Sequence, residues 1–193
     1  MPLSNEEIIE RIINLTKGLN RFWSDKNIGS WAPKDAATLL KKSRIDWQDS
    51  LTKCLRIWLK TPIDEEKEGR LILAWTNLGT LVEGSMKLFL SVWYEFYKKD
   101  DKAIRKKGKL IDPDELSFNF LKNFFKEKIL DQTWVNWIHN IQIKRNAIHA
   151  YKNRDIGSFD EFYLNLRKYL EFLHYLNNNL PYPDDEIYKP RDF

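Results

Sequence analysis

The segment best suited to chemistry runs from Lys144 to Tyr151 and reads KRNAIHAY. Arg145 and His149 are four residues apart, so on an α-helix they would share one face. A guanidinium can hold a phosphate through two parallel hydrogen bonds, and an imidazole that titrates near neutrality can accept or donate a proton. Together they could stabilise a pentacovalent phosphate while moving the proton of a 2′-hydroxyl. This chemistry is metal-free cleavage of RNA.

Asn146 lies between the two groups and could orient the imidazole or contact the phosphate. We therefore predict Arg145, Asn146 and His149 as catalytic residues and Lys144 as a substrate contact. The competing interpretation is structural, because cations near the C-terminus of a helix also complement its dipole.

A second feature is the basic segment 98–109, which reads KKDDKAIRKKGK. It carries a local charge of +5, while the whole chain carries +4, so the rest of the chain is close to neutral. We predict a phosphate-attracting arm here, with Lys106 and Lys107 contacting substrate. The alternative is a solvated connector with no binding role.

Other kinds of site find no support in the sequence. It has no Gly-rich phosphate loop, no Gly-x-Ser-x-Gly and no His-Glu-x-x-His. The three histidines have no metal-ligand partners at short spacing, and the single cysteine, Cys54, sits in an apolar helical pattern that predicts a core thiol. We therefore expect neither a metal nor a cofactor.

The chain begins without the basic and apolar regions of a secretory signal, and no stretch approaches the ~20 apolar residues of a membrane span. With one cysteine and no such segments, we expect a soluble cytoplasmic protein that does not bind membranes.

The elements that must position these residues are helical, since apolar residues recur every three or four positions throughout the chain. Ser4 with Glu7 and Ser158 with Glu161 fit capping boxes. Gly79 and Gly84 lie inside the longest pattern, where a glycine often marks the close approach of another element. The predicted helices cover residues 5–23, 34–60 (with a possible break at Ser43 to Asp46), 64–99, 113–130, 131–148 and 158–179.

The fold class we predict is all-α, a single-domain bundle of five to six helices over residues 1–183 with a polar C-terminal tail at 184–193. Only 7 Gly and 7 Pro occur, which argues against a turn-rich sandwich or barrel. Most of the eight Trp residues lie at core spacing, and Trp31, in the predicted loop beside Pro33, is the one whose exposure has to be checked.

Arg145-Asn146 followed by His149-x-Tyr151 resembles the signature of the HEPN superfamily of all-α domains. The signature is Arg, a polar residue that is often Asn, and then His, and one group of members adds Tyr two positions later. Similarity extends over about residues 141–185, through the turn and the final helix.

The resemblance implies a metal-independent endoribonuclease of toxin–antitoxin, abortive-infection or antiviral defence type. Arg145 would hold the scissile phosphate, His149 would be the acid or base, and Asn146 would orient it. Tyr151 would pack against the site, contact substrate or be modified. The expected partners are single-stranded RNA or tRNA, a second copy of the chain in a homodimer, and an antitoxin or other defence protein.

Two further functions stay open at this point. Three residues separate Arg145 from His149, one fewer than the usual minimum in the family signature. This short spacing favours a non-catalytic helical module that binds RNA or a partner protein. A DNA-binding regulator is disfavoured, because no predicted helix is basic along one exposed face.

Overall fold

A computed structural model of the protein describes residues 2–24, 31–60, 63–149, 153–183 and 188–193. The part of the chain so described is all-α apart from one small hairpin. Its elements are α1 (Asn5–Ser24), α2 (Lys34–Lys42), α3 (Ile45–Lys53), α4 (Lys67–Val92), α5 (Tyr94–Lys99), β1 (Arg105–Lys106), β2 (Lys109–Leu110), α6 (Phe118–Lys128), α7 (Gln132–Arg145) and α8 (Phe159–Asn178). Short 3-10 helices cover Cys54–Leu59, Asp64–Glu66, Pro113–Glu115 and Asn146–His149.

Helix α4 is the centre of the bundle. Apolar residues occur on more than one of its faces, which is typical of a helix buried on several sides. It packs most extensively against α7 and α8, and also contacts α2, α3 and α6, while α1 packs against α8 and α3. Within the described residues, no helix has both the length and the apolar character needed to cross a membrane.

The predicted count of five to six helices is wrong, because two long patterns are interrupted. The 34–60 pattern breaks where Ser43 is extended and Arg44 has a ψ of 60°, within the polar stretch anticipated as a break. The 64–99 pattern breaks at Trp93, whose indole N–H donates to the Asn179 carbonyl at 3.0 Å. Only one residue, Trp93, leaves the helical conformation, so the apolar residues on either side keep their three- and four-residue spacing. The sequence pattern therefore does not reveal the break.

The basic segment forms a β-hairpin that the sequence did not predict. Arg105 pairs with Leu110 and Lys106 with Lys109. Lys107 and Gly108, with φ values of 51° and 79°, make the two-residue turn, which is the primed geometry that fits the twist of paired strands. Two-residue strands are too short to show alternation. The hairpin is anchored by the buried Tyr97, whose hydroxyl donates to the Ile111 carbonyl at 3.0 Å.

Several helix starts match the prediction. Ser4 and Glu7 form the reciprocal capping box, with hydrogen bonds of 2.7 and 3.2 Å. Ser158 accepts a hydrogen bond from the Glu161 N–H at 3.2 Å, as one half of such a box.

The start predicted at residue 113 is wrong for the α-helix, which begins at Phe118 with Ser117 as its cap. The Asp112 carboxylate instead accepts a 2.6 Å hydrogen bond from the Tyr94 hydroxyl. Burial and this hydrogen bond raise the pKa of Tyr94 to about 12.

The end of the predicted tail packs onto the bundle over residues 188–193. Asp192 is buried and lies 3.3 Å from Arg11 and 3.2 Å from His174, so it joins α1 to α8. Asn177 donates to the Pro190 carbonyl at 3.0 Å. Residues 184–187, where the tail was predicted to begin, lie outside the described residues.

The tryptophans divide between core and surface. Trp23 and Trp75 are fully buried, as predicted for most of the set. Trp31, the tryptophan outside the helical patterns, is 52% exposed and stacks on Phe22 with ring centroids 5.7 Å apart. Trp47, which lies within the predicted helix 34–60, is also exposed and lies under the Arg44 guanidinium, so core spacing did not predict its environment. Cys54 is half-buried, which is less than the core position expected for it.

One stability prediction concerns Tyr169, which joins α8 to α4. Its hydroxyl is buried, lies 2.8 Å from the Ser85 hydroxyl and donates to the Leu81 carbonyl at 3.3 Å. Replacing Tyr169 by Phe should lower the free energy of unfolding by about 1–2 kcal/mol, because the Ser85 hydroxyl and the Leu81 carbonyl each lose one hydrogen bond in an interior site. Urea titration measures this change. The exposed Tyr188→Phe serves as the control, and equal stability of the two variants would contradict the prediction.

Candidate functional site

Arg145 is the last residue of α7, and its side chain lies directly over Gly79 of α4. A Cβ atom built on Gly79 would lie 2.8 Å from both Cβ and Cδ of Arg145, closer than side chains tolerate. The close approach predicted for this glycine is therefore confirmed. Gly84 shows the same effect on another side of α4, where Gln48 occupies the space. The glycine at 79 allows the end of α7 to rest on α4.

The guanidinium of Arg145 is held by two groups. Its Nη1 lies 2.9 Å from Oε2 of Glu83, and its Cζ lies 5.5 Å from the ring centroid of Phe118. The other carboxylate oxygen of Glu83 is 3.0 Å from the ammonium of Lys87. The side chain of Arg145 keeps 28% of its surface exposed, against 14% for Glu83. The cation is therefore fixed in direction while part of it faces solvent.

His149 is exposed and ends the 3-10 helix that follows α7. The sequence predicted a continuous α-helix, on which Arg145 and His149 would be about 40° apart around the axis. A 3-10 helix has three residues per turn, so the four-residue step becomes about 120°. Both groups therefore lie at the same end of α7, but ideal 3-10 geometry puts them on different sides of the helix axis. Asn146 lies between them and is half-buried.

Lys144 differs from its predicted role as a substrate contact. It is buried, and its ammonium lies 3.0 Å from Oε1 of Glu161 and 5.1 Å from the ring centroid of Trp75. The ion pair with Glu161 joins α7 to α8 and neutralises the charge of Lys144. Because the ammonium is also buried, it is not accessible to a phosphate. We therefore assign it a structural role.

The other predicted substrate contacts are not brought to this site. Lys106 and Lys107 are exposed at the tip of the hairpin. Hydrogen bonds from the hairpin, as far as the structure describes it, go to residues 97–104 and none goes to α7. Tyr151 lies outside the described residues.

No family model, curated protein or solved structure matches this chain. The resemblance to the HEPN superfamily therefore depends on the motif residues and the helical fold alone.

Sequence reasoning missed Glu83 and Phe118, which hold Arg145. Both lie within predicted helices, but neither has a neighbour in sequence that points to Arg145. Only Gly79 carried a signal, and it indicated close packing without naming the partner. Across the described ranges, no group of three or more His, Cys, Asp or Glu residues is arranged to hold a metal ion.

A cleft of about 300 Å³ between α2, α3 and α4 is a competing site. Its lining includes Lys42, Arg44 and Lys87. Each of these cations is already neutralised, since Lys42 lies 3.0 Å from Asp112, Arg44 lies 2.6 Å from Asp46, and Lys87 lies 3.0 Å from Glu83. The cleft therefore attracts an anion less strongly than three unpaired cations would.

A pair of glycine variants tests how α7 rests on α4. Gly79→Ala should lower the free energy of unfolding by about 1–3 kcal/mol, because the new methyl group meets the base of the Arg145 side chain. Gly69→Ala on the same helix has no atom within 4 Å of the new Cβ and should gain up to about 1 kcal/mol from helix propensity. Chemical denaturation measures both, and equal effects would contradict the packing described.

Proposed function

We propose that this protein is a metal-independent endoribonuclease that uses Arg145 and His149. The observation that carries the proposal is that both chemical groups reach the surface at one end of α7. His149 is exposed, and Arg145 is partly exposed although it forms an ion pair with Glu83. Burial of both in core hydrogen bonds would have removed any chance of contact with substrate.

Glu83 is compatible with a phosphate on Arg145. A guanidinium has five N–H donors, and the ion pair with Glu83 engages Nη1. The remaining donors are available to phosphate oxygens, and the carboxylate limits the motion of the group that binds them. Glu83 is thus a positioning residue in this proposal, since it acts through Arg145.

The reaction requires two proton transfers. The 2′-oxygen loses its proton and forms a bond to phosphorus, the bond from phosphorus to the 5′-oxygen breaks, and the leaving oxygen gains a proton. His149 can serve one transfer as base or acid. A homodimer of the kind the resemblance implies would supply a second imidazole for the other. Arg145 would stabilise the charge that accumulates on the phosphate oxygens.

The substrate and setting follow from the resemblance. We propose single-stranded RNA or tRNA as substrate, and a toxin–antitoxin, abortive-infection or antiviral role with an antitoxin or other defence partner. The exposed hairpin cations would add long-range attraction for RNA without belonging to the reacting centre.

A second candidate is a non-catalytic helical module that binds RNA or a partner protein. Two observations favour it. Glu83 already neutralises part of the charge on Arg145, and the 3-10 turn after α7 removes the α-helical spacing that would put His149 and Arg145 on one face. In such a module Arg145 would mainly hold α7 on α4.

Cleavage of RNA in the presence of EDTA tests the proposal. Wild-type protein should cleave mixed cellular RNA, and His149→Ala and Arg145→Ala should each reduce the rate by at least about 100-fold, which is typical for the loss of a proton-transfer or charge-stabilising group. Arg21→Ala, which removes an exposed cation on α1, is the matched control and should retain activity.

Absence of cleavage by wild-type protein over a wide concentration range would contradict the nuclease proposal, and so would cleavage that persists in His149→Ala. RNA binding without cleavage would support the second candidate.

A further inference from the structure

The seam between α6 and α7 contains a lysine that has no carboxylate partner among the described residues. The ammonium of Lys122 lies 2.7 Å from Oε1 of Gln142 and 3.2 Å from Nδ1 of His139. Neither partner carries a negative charge, and the His139 ring accepts at Nδ1 in the tautomer that holds its proton on Nε2. Lys122 is half-buried at this position. The side chain is thus held in place without being neutralised.

A lysine on the same pair of helices shows what a purely structural arrangement looks like. Lys144 is more buried than Lys122 and is compensated by Glu161 at 3.0 Å. Withdrawing an ammonium from water without an opposite charge is costly, and burial lowers the pKa of Lys122 accordingly. An anion that approached Lys122 would recover this cost. The site is therefore prepared for a negatively charged ligand.

The location of Lys122 relates it to Arg145. Gln142 precedes Arg145 by three residues on α7, which is about one helical turn. On the facing helix, Phe118 precedes Lys122 by four residues and packs under the Arg145 guanidinium. Because Lys122 contacts Gln142 and Phe118 contacts Arg145, Lys122 and Arg145 belong to neighbouring turns of the α6–α7 seam.

We propose that Lys122, together with His139 and Gln142, binds a second phosphate of the RNA strand whose scissile phosphate lies at Arg145. This inference rests on the proposed function, which supplies the RNA. An ammonium has three N–H donors, and two of them are engaged by Gln142 and His139, which leaves the third for a phosphate oxygen. A neutral imidazole that accepts at Nδ1 carries its proton on Nε2, so His139 offers one more donor.

The subsite gives the substrate a direction. A strand bound at both positions would run along the α6–α7 seam, past Gln142, with consecutive phosphates on Lys122 and Arg145. Contacts of this kind fix the register of the backbone and do not read bases, so they predict tolerance of sequence.

The first experiment measures binding without turnover. A fluorescently labelled 2′-O-methyl RNA oligonucleotide lacks the attacking hydroxyl, and its anisotropy gives Kd across a series of salt concentrations. Lys122→Gln should weaken Kd about 5- to 10-fold at 0.1 M salt and reduce the slope of log Kd against log salt by about 0.7, the value for one phosphate contact on a single strand. Lys122→Arg keeps the charge and should retain most of the affinity.

The matched control is Lys41→Gln, which removes one exposed charge from α2, away from the seam. Equal Kd values and slopes for Lys122→Gln and Lys41→Gln, with RNA still bound and cleaved by wild-type protein, would overturn the subsite while the proposed function stands. Failure of wild-type protein to bind the oligonucleotide would overturn the RNA subsite, and failure to cleave RNA would count separately against the nuclease.

The second experiment examines the anion site without RNA. Inorganic phosphate is titrated into the 193-residue protein while the NMR signals of the His139 ring are followed. We expect a saturable shift in the wild-type protein that is lost in Lys122→Gln. No shift in the wild-type protein would overturn the anion site. A shift without any affinity for the oligonucleotide would restrict the site to small anions and overturn the RNA assignment.

Discussion

The contact between Arg145 and Glu83 is the constraint on which the candidate site depends. It joins the end of α7 to the middle of α4, and it forms only because Gly79 has no side chain to keep the two helices apart. The same contact sets the direction of the guanidinium and leaves part of it exposed. The contact with Glu83 over Gly79 thus determines where the Arg145 guanidinium lies, which way it points and how much of it is exposed.

The contact is also part of a longer chain of polar groups. Glu83 bonds Lys87 one turn further along α4, and Lys87 donates to the Asp114 carbonyl at 3.1 Å, just before α6 begins. Helices α4 and α7 are therefore connected by charge, and a hydrogen bond ties α4 to the 3-10 helix Pro113–Glu115 that precedes α6. A site mounted on three packed helices can hold its groups with little motion, which is the condition for electrostatic stabilisation of a phosphate.

The sequence predicted those features that depend on local spacing and failed where distant contacts decide. The limits of α1 and α8 and the capping box at Ser4 follow from apolar periodicity and side-chain chemistry, and the structure confirms them within about one residue. The motif residues were found from their types alone. The 3-10 turn after Arg145, the partnership with Glu83 and the enclosure of Lys144 depend on α4 and α8, which no short pattern encodes.

The most direct test of this account is a double-mutant cycle on Glu83 and Arg145, using Glu83→Gln, Arg145→Met and the two together, with the free energy of unfolding as the readout. Both side chains are mostly shielded from water, so we expect a coupling energy of about 1–2 kcal/mol, above the range of exposed ion pairs. A coupling energy below about 0.3 kcal/mol would show that the two residues act independently and would contradict the central role given to their contact.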